Sequence, residues 1–378
     1  MRKHIFSLFC LLSTASASFA DDRNASSAAS LLKDDIIDIS SLRAGECLVV
    51  GDEPSNPTQE FLRQVTDLRE FVPFRDMGTF SAALADQMTG REICTVAQTD
   101  DQYVPAFVSA AHNRTYINIA TDLPDRGFDK ANPISYTAAM GILMVQENAH
   151  EATNREMCKA AIDSDNLWTF SPREAVATFL IVEAIGWAAQ SADTLNVLQN
   201  YRGPVINVPM QPEILNAMLQ TENTPFAGSF IAGVNAFLST PEIANGYVED
   251  ALVDYTAAID QIEKIDPQSK RLPVAAYAGA LTTQRLVDMM VDIVDWSTIG
   301  DGRKPAVDDV LDVLSDDYIN GLPEPLKEVI FDLEKRVSAL QTIHNPVNEN
   351  FITTCTRWTG ESAGDFNARQ ADYWSPSS

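Results

Sequence analysis

The sequence predicts a mainly α protein of the α+β class, with a small β-containing N-terminal part followed by a large helical body. Three observations carry this. Runs rich in Val, Ile and Cys that alternate or sit between turn residues are confined to the part before residue 121. Beyond Ser135 the apolar residues recur at helical spacing, and Pro, Gly and Asn break the chain into segments. No fixed repeat period runs through these segments, which sets aside a solenoid.

Taken in order, residues 1–20 read as a secretory signal peptide. Arg2 and Lys3 form a charged start, residues 5–12 an apolar core, and Ala15-Ser16-Ala17 or Ser18-Phe19-Ala20 a cleavage site. The apolar run is too short to span a bilayer, and charged residues interrupt every later one. The expectation is therefore an exported chain, periplasmic or secreted from a bacterium, that does not span the membrane. Residues 21–45 are polar and rich in Ala and Ser, as in a flexible leader.

Residues 46–50 and 92–97 have strand composition, and residues 57–71 and 79–88 between them have helical spacing. Residues 114–120, RTYINIA, alternate most clearly and predict a strand. The loop DLPDRGFDKANP follows, and a helix then starts near Ser135. A second helix starts at Ser171 with Pro172 in its first position. Further helices are expected over 211–220, 226–238, 241–265, 273–294, 306–314 and 323–343. The predicted organisation is one domain over 46–265, a C-terminal helical region over 266–344, and a polar tail over 345–378.

The formal charge is −26, and it becomes two units more negative once Arg2 and Lys3 leave. Such a balance opposes nucleic acid and anionic membrane surfaces as partners. Four cysteines lie beyond the signal peptide: Cys47, Cys94, Cys158 and Cys355. In an oxidising compartment an even count suggests disulfides. Cys47 and Cys94 both sit in strand-like runs and form the first expected pair. Cys158 with Cys355 is then the second, tying the tail to the end of the central helix.

The chain is organised around that central helix, YTAAMGILMVQENAHEATNRE. Its apolar run predicts burial, yet its last turns carry Gln146, Glu147, His150 and Glu151. Polar groups on a buried helix need partners. Gln146 and Glu147 lie four and three residues before His150 and share its face. This is the spacing of H-E-x-x-H, in which two histidines hold zinc and the glutamate activates water. Here the first position is glutamine.

A TYIN strand, a loop, an apolar helix ending in QENAH, then a helix opening with EAVA (174–177) resembles bacterial zinc metallopeptidase domains of unknown function. The stretch FIAGVNAFLSTPEIANGYVEDALVDY (230–255) is similar to their helical continuation. The resemblance covers residues 114–259 and implies a zincin-like core with a two-helix site. It maps the zinc ligands to Gln146, His150 and Glu174 and the general base to Glu147, with a peptide or protein as substrate. The departure is Gln146 in place of the first histidine. An amide oxygen is a poorer zinc ligand than imidazole, so the alternative is an inactive helical envelope protein that uses the same scaffold to bind a partner.

Each residue also has a structural role open to it. His150 near a helix end favours the negative end of the dipole. Gln146 can serve as a structural amide. Ser171-x-x-Glu174 is a capping box, in which Glu174 reaches back to its own helix start. Glu151 lies off the His150 face and is expected to be exposed. Glu183, in FLIVEAIGW, must be buried or partnered, and joining it to Glu147-x-x-His150 would give half of a di-iron carboxylate site.

Overall fold

A computed structural model describes residues 36–75, 79–99, 104–109, 114–221, 226–264, 274–340 and 354–374. The signal segment, most of the leader, His112 and His344 lie outside the described residues. Within them the protein is mainly α with one small sheet, as the sequence predicts.

The N-terminal part runs Cys47–Val49 (β1), Pro57–Thr66 (α1), Thr79–Gln87 (α2), Glu92–Val96 (β2), Ala106–Ser109 (β3) and Arg114–Asn118 (β4). The sheet order is β1-β2-β4-β3, with β2 and β4 parallel and both outer strands antiparallel to their neighbours. In α1, Asn56 caps the first turn by accepting from the Gln59 N–H, and Pro57 supplies the fixed φ of a helix start. The helix ends at Thr66, short of the predicted 71. Asp67 is extended there and accepts from the Arg69 N–H to start a separate 3₁₀ turn. Strand β3 is absent from the sequence reading, because AFVS is too short for its alternation to register.

The helical body comprises Pro133–Lys159 (α3), Pro172–Asn200 (α4), Pro212–Gln220 (α5), Phe226–Ser239 (α6), Pro241–Glu263 (α7), Thr283–Met290 (α8), Asp316–Gly321 (α9), Glu324–Ala339 (α10), Thr354–Thr359 (α11) and Ala363–Trp374 (α12). Where the expected 273–294 helix should begin, Ala275 and Tyr277 instead donate backbone N–H groups to the carbonyls of Trp168 and Thr169. That tie holds the segment out of helix until Thr282 caps α8. The expected 306–314 helix is reduced to a 3₁₀ turn at Val307–Asp309. Here the Asn235 amide brackets the backbone, donating to the Asp309 carbonyl and accepting from the Leu311 N–H. Residues 354–374, expected within a polar tail, form α11 and α12.

The chain forms two compact units that interleave along the sequence rather than following the expected 46–265 and 266–344 divisions. The first takes residues up to Ala149, then Gly186–Gln220 and Val294–Arg303; the second takes His150–Ile185, Thr221–Ile293 and Lys304 onward. Helices α3 and α4 each contribute to both. In the first unit Phe61, Leu62, Val65, Ile93, Ile117 and Met144 belong to one apolar cluster under the sheet. Gly141 on α3 lets the helix approach Leu68 so closely that a Cβ there would overlap its side chain.

In the second unit the end of α3 is built in detail. Ala161 adopts φ 57°, the Ile162 N–H bonds back to Met157 and the Ala161 N–H to Cys158, a Schellman closure with alanine where glycine is usual. Arg369 of α12 donates to the Cys158 and Lys159 carbonyls, and the Trp374 indole donates to the Ala161 carbonyl. Both expected disulfides are present, Cys47–Cys94 across β1 and β2 and Cys158–Cys355 between α3 and α11. Among the described residues one helix, α4, is long and apolar enough to cross a membrane, and 83% of its apolar window is buried within the protein.

Candidate functional site

Helix α3 carries the singled-out residues as the spacing requires. Gln146 and Glu147 fall in the last turn of the first unit, and His150 opens the second. Gln146 is buried and Glu147 half-buried. Glu151, expected on the surface, is 1% exposed, because α3 is covered on nearly every side at this level. Asn148, beside them, donates to the Thr66 carbonyl.

Glu174 is engaged from two directions. Its Oε2 accepts from both the Ser171 N–H at 2.9 Å and the Ser171 hydroxyl at 2.6 Å, while Ser171 Oγ accepts from the Glu174 N–H. That is the reciprocal capping box. Its Oε1 accepts from the Leu281 N–H at 2.8 Å, clasping the loop before α8. Three of the roughly four acceptor positions of a carboxylate are therefore taken. Nearby, the Tyr255 hydroxyl donates to the Phe170 carbonyl, and burial, reinforced by the Glu174 charge, pushes its phenol pKa up.

The carboxylate that His150 meets is Glu183. His150 Nε2 and Glu183 Oε2 are 3.4 Å apart, and the two side chains are 14% and 10% exposed. Glu183 lies nine residues beyond Glu174 on α4, about 13 Å along the helix axis. So the second unit brings His150 to the carboxylate two and a half turns further on, and Glu174 serves the start of its own helix. The sequence signal for Glu183 was a charge inside an apolar run. Which histidine it would face could not be read from spacing, since the depth at which α3 and α4 overlap depends on the turn joining them.

A second cluster of ligand-type groups exists in the first unit. Cys47, Glu92 and Cys94 place three such atoms within 4.8 Å of one another. The two sulfurs are bonded to each other, so neither is a thiolate able to hold metal. Glu92 accepts from the Arg114 guanidinium across β2 and β4.

Asp193 on α4 has no counterpart in the sequence reading. Wholly buried, it accepts from the Phe80 and Ser81 N–H groups and caps α2. Burial outweighs these donors and pushes its carboxyl up to about 7. It is a structural acid, with its oxygens turned into a helix end.

A half-buried imidazole facing a buried carboxylate can hold a proton between them or share a cation. The zinc set implied by the resemblance fits less well, because Glu174 is committed to Ser171 and Leu281 and Gln146 supplies an amide. No protein-family profile, curated protein or solved structure matches this chain.

Proposed function

We propose that the chain is an exported, catalytically silent relative of bacterial zinc metallopeptidases, in which the α3–α4 helix pair is kept as scaffold and the acidic helical body engages a partner in the envelope. The observation that carries this reading is the engagement of Glu174, whose carboxylate accepts from Ser171 and Leu281. Together with Gln146 in place of an imidazole, it removes two of the three ligands that the resemblance implies. A working metallopeptidase is the second reading. It is favoured by Glu147 and His150, which remain one turn apart on one helix, as the base and a ligand of H-E-x-x-H do.

Hydrolysis of unfolded protein and of a mixed peptide pool, with zinc supplied, separates the two. The silent reading expects no turnover by the wild type or by Gln146→His, since restoring the imidazole leaves Glu174 committed elsewhere. Wild-type turnover that disappears in Glu147→Gln would establish the peptidase instead.

A further inference from the structure

We infer that Cys47, Cys94 and Glu92 form a zinc site that the Cys47–Cys94 disulfide masks and that reduction of this bond opens. The site belongs to the sheet of the first unit and shares no residue with α3 or α4, so it goes beyond the scaffold reading and does not rest on it. Cys47 faces Cys94 across β1 and β2, with the Cα atoms 4.0 Å apart, and Glu92 stands two residues before Cys94 on the same strand. Side chains alternate between the faces of a strand. Leu48 and Ile93 enter the apolar cluster under the sheet, so the three ligand-type groups share its other face, their ligand atoms within 4.8 Å of one another. Backbone pairing holds this arrangement when the sulfurs part. The Thr95 N–H donates to the Glu46 carbonyl and the Val50 N–H to the Arg91 carbonyl, so the ladder is closed on both sides of the cysteines. That phase makes Cys47–Cys94 a non-hydrogen-bonded pair, the more closely spaced kind. Two thiolates on one tetrahedral zinc, at about 2.3 Å each, sit about 3.8 Å apart, which facing side chains of such a pair can span.

The reductant is a dithiol. Its thiolate attacks the Cys47 sulfur, Cys94 leaves as a thiolate, and the second donor thiol then displaces Cys47, so the donor becomes a disulfide and two protein thiols form. Zinc binds as those thiols give up their protons. Cys47 is half-buried on an edge strand, whereas Cys158 and Cys355 are 2% and 0% exposed, so the donor reaches the sheet bond first. Glu92 decides between a metal site and a thiol-exchange centre. A carboxylate beside two thiols holds their protons on and slows exchange, but it gives a cation its third ligand, with water as the fourth. Two thiolates and a carboxylate exceed the zinc charge by one unit. The Arg114 guanidinium, donating from β4 to Glu92 Oε2, offsets that unit and orients the carboxylate.

Cobalt(II) tests the site on the full chain, because thiolate ligands give this ion a near-ultraviolet charge-transfer band. Reduced with a phosphine, which adds no thiol of its own, the protein should show the band at one ion per chain, and zinc should abolish it. The oxidised protein should show none. Zinc should also shield Cys47 and Cys94 from alkylation, located by peptide mass spectrometry. Glu92→Gln should weaken cobalt binding at least about tenfold. A band in the oxidised protein would overturn the site, as would no band when alkylation shows both thiols free. Shielding of Cys158 and Cys355 instead, or affinity indifferent to Glu92→Gln, would do the same. A Cys47–Cys94 bond that stays closed to the reductant, or a chain that unfolds when it opens, would also end the proposal. None of these results involves peptide hydrolysis, so the scaffold reading stands or falls separately.

Discussion

At the scale of single residues, the chain spends several buried acids on its own backbone. Glu174 and Asp193 both turn their oxygens toward N–H groups at helix starts, one at its own helix and one at α2. Asp193 also carries a pH dependence. Its carboxyl titrates near 7 in the folded protein against an ordinary value of 3.8. Between those limits the folded state holds a proton that the unfolded state has released. Stability from this group is therefore complete below pH 3.8 and is lost as pH rises to 7. Each tenfold gain in proton affinity on folding corresponds to about 1.4 kcal/mol. Asp193→Asn keeps one acceptor for the α2 cap and removes the titration. Across pH 4–8, melting temperatures of the wild type should fall relative to those of Asp193→Asn; parallel curves would show that burial does not raise this acid.

At the scale of elements, the end of α3 shows how a segment without apparent structure in the sequence acquires it. The stretch 354–374 is polar and short of apolar periodicity, and its helices form because they satisfy another helix. Arg369 donates to two of the carbonyls left open at the α3 terminus and pairs with Glu361 at 2.7 Å. Trp374 adds a donor to Ala161 and stacks under the Arg285 guanidinium, 4.1 Å from its ring centroid. Arg369→Ala should cost about 1.5–3 kcal/mol, the range for hydrogen bonds to charged groups. It should also raise hydrogen exchange in α12 ahead of the rest of the chain. Loss of stability without faster exchange there would place the effect elsewhere. Elements with strong local signals were legible: β1, β2, β4, α3 and α5 to α7 fall within a few residues of their expected positions, and α4 starts within a residue of its expected start. The shortened and missing helices around 273–294 and 306–314 were not. Their backbones are captured by Trp168, Thr169 and Asn235, partners far away in sequence. The site was legible to the same degree. His150 and Glu183 could each be marked as polar groups on apolar helices, but their meeting depends on helix overlap, which no local pattern encodes.

At the scale of the whole molecule, each compact unit contains one disulfide, and these are the two bonds the cysteine positions suggested. Cys47–Cys94 closes a separation of 47 residues and Cys158–Cys355 one of 197. By loop-closure entropy these restrain the unfolded chain by about 4 and about 5 kcal/mol. Such bonds persist in oxidising compartments. The two bonds should also act differently on the protein. Cys158→Ser with Cys355→Ser frees α11 and α12 from the covalent tie to α3, leaving Arg369 and Trp374 as polar contacts from that segment to the helix end. Limited proteolysis should then cut first between α10 and α12, and the melting temperature should fall by the equivalent of about 2–5 kcal/mol. Cys47→Ser with Cys94→Ser removes a link between strands already joined by backbone pairing. It should lower stability by a similar amount while leaving the C-terminal helices resistant to cleavage. Equal cleavage patterns in the two double variants would mean that α11 and α12 are held by something other than the bond to Cys158.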